Sequence, residues 1–157
     1  MSIRARLEDA QILAQQGRLD GALLMLLVAV AATAKKRFPH LGDAEGFKAF
    51  VKRGVQEVTP IKVGGGFSVQ FRGESVMIER IFYEFMRNNL VHEARLPADL
   101  EVILEPTPGM TSLRVEANRV SVGLGWLDNL VAMVIHAPEN AAEFADVLVP
   151  PEPAPSP

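Results

Sequence analysis

The sequence predicts an α+β fold that is mainly α: an antiparallel helical bundle with a small antiparallel β-sheet and a C-terminal helix. Three observations predict it. Apolar residues recur at helical spacing through residues 3 to 58 and again from 74 to 92. The period changes to two between residues 100 and 124. Helical spacing then returns from Trp126 to Ala137.

Taken in order, the first helix is expected over residues 3 to 16, with Gly17 as its C-terminal stop. Asp20 is a natural N-cap for a second helix reaching about Phe38. Leu23, Leu24, Leu26, Leu27, Val28 and Val30 wrap almost all the way round it, which places it at the centre of a bundle. Lys35, Lys36 and Arg37 close it with cations that complement the helix dipole. A third helix is expected with Asp43 as its cap and Phe47, Phe50 and Val51 as its apolar stripe. Around a triple glycine, "IKVGGGFSVQF" alternates apolar and polar residues and reads as a hairpin over about 61–71, with Ile61 and Val63 facing Phe67, Val69 and Phe71. A fourth helix is expected from about Glu74 to His92, barred from continuing by Pro97. "LEVILE", "SLRVEA" and "RVSVGL" read as three strands within 100–124, and Trp126, Leu130, Val131 and Val134 supply a packing face for the last helix.

A chain of 157 residues suits one domain with a true core, expected over residues 1–148. Residues 149–157, "VPPEPAPSP", read as a proline-rich disordered tail. Hydrophobic content of 48% and charged content of 22% are those of a globular chain. A net charge of −3 argues against coating nucleic acid through bulk positive charge, while leaving room for a local basic cleft. Cysteine is absent, so disulfides, thiolate metal sites and cysteine nucleophiles are excluded. His40, His92 and His136 lie far apart and make no metal-spacing motif, and no cofactor is expected. The N-terminus has no apolar signal-peptide core. The most apolar run, Ala22 to Ala34, falls short of the roughly 20 residues of a bilayer span. A cytoplasmic chain without membrane contact is the expectation.

The fourth helix carries the polar residues that ask for an explanation. On an ideal wheel of about 100° per residue, Ile78, Ile81, Phe82, Phe85 and Met86 share the core face. Arg80, Glu84, Asn88 and His92 make a polar row along its flank at successive i, i+4 positions. Asn89 falls on the apolar face, where a buried amide must find partners or cost about 1–3 kcal/mol. Arg87 lies about 140° from His92, so direct contact in one straight helix is poor. Metal-free RNA cleavage needs a base for the 2′-hydroxyl, for which histidine is suited. It also needs a cation on the phosphate, which a guanidinium supplies best. Asn88, one turn before His92, is placed to orient the ring or a phosphate oxygen.

Arg87-Asn88-Asn89-Leu90-Val91-His92, with "RNNLVHE" late in a helix, resembles the HEPN superfamily, whose mark is Arg, four to six residues, then His. The two front helices joined by a Gly-Arg-Leu-Asp turn are similar to that family's front half, so the resemblance covers residues 3 to about 96. It implies a helical bundle that is usually a homodimer, with Arg87 and His92 catalytic and Asn88 accessory. Active members are metal-independent endoribonucleases of toxin–antitoxin, defence or RNA-processing systems, while others only bind RNA or proteins as scaffolds. An RNA substrate and an antitoxin or other protein partner are therefore implied as well. The strands at 61–71 and 100–124 depart from that pattern, which leaves the dimer mode and the substrate open.

Each of these residues also has a plainer role open to it. His92 can cap its helix, Arg87 can pair with Glu84, and Asn89 can bond a backbone carbonyl. The basic spots "KKRF" (Lys35, Lys36, Arg37) and "KAFVKR" (Lys48, Lys52, Arg53) can line an RNA groove or form solvated helix ends. The expectation is thus a metal-independent endoribonuclease or a non-catalytic RNA- or protein-binding scaffold of the same fold.

Overall fold

A computed structural model describes residues 2–58, 66–105 and 107–148. Its helices are α1 (Ile3–Gln15), α2 (Leu19–Arg37) and α3 (Asp43–Val58), a long α4 (78–93), α5 (Leu124–Ile135) and a short α6 (Ala145–Leu148). Its strands are β1 (Ser68–Phe71), β2 (Glu74–Met77), β3 (Leu100–Ile103), β4 (Leu113–Glu116) and β5 (Arg119–Gly123). The α+β, mainly α class read from the sequence holds. No described helix is long and apolar enough to cross a membrane. The tail at 149–157 lies outside the described residues.

α2 sits at the centre, as its all-round apolar surface requires. It packs on α1, α3 and α5, and Leu23, Leu26, Leu27, Ala29 and Val30 are buried. Gly17 adopts φ 73° and reverses the chain between α1 and α2. α2 begins two residues early, at Leu19, with Arg18 in the cap position, so Asp20 lies in its first turn and is not the cap. There its carboxylate still favours the positive end of the helix dipole. α3 includes Asp43 as its first residue, one position inside the cap expected of it, and buries Phe47, Phe50 and Val51 as the stripe predicts.

A hairpin that the alternation did not announce follows Phe67. β1 pairs antiparallel with β2, Val69 facing Val76 and Phe71 facing Glu74. Its turn lies at Arg72 and Gly73, both at positive φ. Two successive positive φ values are the signature of a turn that matches strand twist. Ile61 and Val63, the expected partners, lie outside the described residues. Residues 74 to 77 are therefore strand, and the fourth helix begins at Ile78 rather than Glu74. Val76 explains the change, because the alternation within β2 buries it completely against the core.

The three later strands form where expected, in the order β3-β5-β4. β4 and β5 are antiparallel, whereas β3 runs parallel to β5, so this sheet is mixed. Central β5 leads directly into α5, and Trp126 in its first turn meets Phe67 at 5.6 Å and Phe82 at 6.2 Å between ring centroids. That aromatic cluster fastens the hairpin, α4 and α5 together. After α5, a single 3-10 turn (Pro138–Asn140) redirects the chain, and Phe144 returns to the core. Glu143 then accepts hydrogen bonds from the Arg4 backbone N–H and the Ser2 hydroxyl, and pairs with Lys36.

Candidate functional site

α4 is not one regular helix. Its middle, Ile81–Arg87, is π-helical between α-helical turns at Ile78–Arg80 and Asn88–Glu93, and the Asn88 N–H donates to Tyr83 O. A π turn closes on the fifth residue, so it leaves carbonyls poorly matched and changes which side chains share a face. Asn89 repairs this: its Nδ2 donates to Phe85 O at 2.9 Å and Glu84 O at 3.4 Å. The amide at an apolar position thus has a structural partner, as a buried amide needs. The Arg80–Glu84 step of the polar row forms as an ion pair at 2.9 Å. Hydrogen bonding from Arg80, with Lys48 adding its charge, holds the Glu84 carboxyl below the ordinary carboxylate range.

Arg87 turns away from His92. Its guanidinium lies over the Tyr83 ring at 5.2 Å and donates to Asn88 Oδ1 at 3.4 Å, while its Nε is buried without a hydrogen-bond partner. It lines a recess of about 210 Å³ between α2 and α3, together with Lys35, Asp43, Phe47 and Tyr83. His92 is exposed on the last turn and is not part of that recess. Its side chain makes no hydrogen bond or ion pair among the described residues. Within one chain, then, Arg87 and Asn88 are brought together and His92 stands apart.

Most of the basic residues have acidic partners. Arg37 makes a bidentate pair with Glu139, both bonds 2.9 Å, and lies over Phe50 at 5.0 Å. Lys36 holds Asn140 and Glu143, Lys48 reaches Glu84 at 3.5 Å, and Arg53 pairs with Glu57. Lys35 is 3.8 Å from Asp43. Lys52 alone of the six is exposed with no side-chain partner among the described residues.

A much larger recess lies elsewhere and was missed by motif reasoning. A groove of about 1080 Å³ has α2 as its floor, α1 and α5 as walls, and β3 and the C-terminal segment at its ends. One wall is the α1 stripe Arg4, Leu7, Gln11 and Ala14; the other is the α5 stripe Leu124, Leu127, Val131 and Ile135. Both stripes follow helical spacing. Leu104, 78% exposed, stands at its edge with Leu19 and Val147, also exposed. One sequence signal could have found it. α5 is apolar on two faces: Trp126, Leu130, Met133 and Val134 are buried in the core, while Leu127, Val131 and Ile135 pack against it only in part and line the groove with their remaining surface. A helix apolar all round asks for cover on every side.

Neither a curated protein nor a solved structure matches this chain. The model of the Rv1289 family matches residues 2–146, and the chain belongs to that family.

Proposed function

We propose that this chain is a non-catalytic protein-binding scaffold whose working surface is the groove between α1 and α5. The observation that carries this reading is a groove of about 1080 Å³ walled by leucine, valine and alanine side chains, with Leu104 left largely in water and Leu19 about half exposed beside it. Concave, mainly apolar surface with a few charged groups at its edge is what a binding site requires. Contiguous exposed apolar surface is otherwise a liability for a chain in water. The engagement of Arg37, Lys36 and Lys48 by carboxylates leaves little free positive charge for RNA, which favours a protein partner. An uncharged apolar dye such as Nile red is expected to light up on the native chain. Ala14→Trp, which fills the groove from an exposed position, is expected to abolish that signal. Equal fluorescence from both would count against the groove as the working surface.

A second reading is the metal-independent ribonuclease, with an antitoxin as the natural partner. Two observations favour it: His92 is exposed without a side-chain partner, and Val91 beside it is 50% exposed, as a surface awaiting a second copy would be. In a homodimer the histidine of one protomer would serve the Arg87 recess of the other. His92 would take the 2′-hydroxyl proton, the 2′-oxygen would attack phosphorus, and the P–O5′ bond would break as the 5′-oxygen takes a proton from water, leaving a 2′,3′-cyclic phosphate and a 5′-hydroxyl. Incubating the protein with pooled RNA in EDTA separates the readings. No cleavage is expected; cleavage lost in both His92→Ala and Arg87→Ala would replace the scaffold reading with the enzyme.

A further inference from the structure

Resting on the scaffold reading, we infer that the groove receives one amphipathic helix of a partner protein, about three turns long, basic at one end. The trough has the form of a missing helix. α1 and α5 each pack on α2, and their stripes leave the space between them open. Arg4 to Ala14 spans about 15 Å and Leu124 to Ile135 about 16 Å, the length of a ten- or eleven-residue helix. Ala10, Ala14 and Ala22 offer nothing beyond a methyl group, so large apolar side chains from the partner have room to enter. Helices that dock in grooves present such anchors at i, i+3, i+4 and i+7.

Charge chooses the sign of the partner. Arg4 is held by Glu8 and Asp146, and Glu101 is held by Arg119 and the Ser121 hydroxyl. The remaining charged lining residues are Asp20, Asp128 and Arg95, none with a side-chain partner among the described residues. The start of α1 and the end of α5 converge on the segment 138–146, through Arg4–Asp146 and the Asn140 bond to Val134 O. Asp20, beyond the far end of α1, and Asp128, in the first half of α5, therefore lie toward the opposite mouth. Counted with the single unpaired cation Arg95, the unpaired lining charges are net negative, which disfavours RNA, an acyl carboxylate or an acidic segment and favours lysine or arginine beside Asp20 and Asp128. The chain's own residues 149–157, whose charged side chain is Glu152, fit that mouth poorly.

The experiment pans a displayed library of helices about four turns long against the full chain. Selected sequences are expected to carry apolar residues at groove-docking spacing and lysine or arginine at one end. The best peptide should lose at least about tenfold in affinity on Ala14→Trp, and about tenfold on Asp20→Lys with Asp128→Lys; its glutamate-ended twin should gain on the latter. All three positions are exposed, so the core is untouched. Helices blocked by Ala14→Trp but lacking any basic preference would overturn this inference and leave the scaffold reading standing. Binding only after removal of residues 149–157 would assign the groove to the chain's own tail and overturn it too. Absence of any binder, or binders indifferent to Ala14→Trp, would overturn both.

Discussion

Asn140 is the polar residue on which the C-terminal segment turns. It is fully buried, donates through Nδ2 to Thr33 Oγ1 and to Val134 O, both at 2.9 Å, and accepts from Lys36 at 3.2 Å. Asn140→Ala removes all three bonds and leaves a small cavity. Lys36 loses little, because it keeps Glu143 and is partly in water. The two neutral buried bonds are each worth about 1 kcal/mol, and an acceptor left weakly satisfied adds a further ~1 kcal/mol. The sum is a loss of about 3 kcal/mol, a large share of the ~5–15 kcal/mol that stabilises a domain. At about 2–4 °C per kcal/mol for a chain of this size, Tm should fall by about 6–12 °C. Urea unfolding followed by circular dichroism measures it, with a lower midpoint and unchanged slope. Thr33→Val should couple to Asn140→Ala by about 1 kcal/mol in a double-mutant cycle. A loss under ~0.5 kcal/mol, or strict additivity of the two changes, would refute the assignment of this bond as the anchor.

Three further outcomes follow from the same packing. Gly125→Ala sets a Cβ against the Met110 carbonyl oxygen, which is backbone, and should cost about 1–3 kcal/mol by denaturation. Gly54→Ala meets only the flexible Met133 side chain, at 2.5 Å from its sulfur, and should cost less in the same assay. The Glu143 carboxyl is lowered to about 2, first by the Arg4 backbone N–H, then by Lys36 and Ser2. Its contribution is complete above the ordinary carboxylate value of 4.5 and is lost as pH falls toward 2, so the Tm gap between native chain and Glu143→Gln should close over that range. A gap independent of pH would remove Glu143 from the clasp.

Local chemistry explains what could be read in advance and what could not. α2 was legible as the central helix because its leucines and valines circle the axis, a property of sequence alone. α3 was legible because Asp43 and the Phe47–Phe50–Val51 stripe agree. The β1–β2 hairpin was not, because three glycines make a stronger turn signal than Arg72-Gly73, and Glu74 to Met77 is too short to show its own period. Only tertiary burial of Val76 decides for strand. The parallel pairing of β3 with β5 was hidden for a related reason. Three consecutive strands suggest a meander, and strand order depends on contacts far apart in the chain.

The polar cluster on α4 and the groove teach opposite lessons about reading a site. The wheel assumed one regular helix through Arg87, and the π turn invalidates that assumption between Ile81 and Arg87. No propensity scale announces a π turn; Asn89 was the visible symptom, an amide on an apolar face with a carbonyl to satisfy. A conspicuous polar motif therefore has a structural cause for one member, while Arg87 is drawn into an aromatic recess and His92 is left in water. The groove has no conspicuous motif. Its evidence in sequence is an excess: α5 presents Leu124, Leu127, Val131 and Ile135 beside its buried face, and the core covers them only in part. On the scaffold reading proposed above, apolar surface that the fold covers only in part awaits a partner, and the unpaired carboxylates Asp20 and Asp128 favour a cationic one. On that reading, surplus hydrophobicity on a helix already committed to the core is the sequence feature that marks the groove, where no spaced polar motif does.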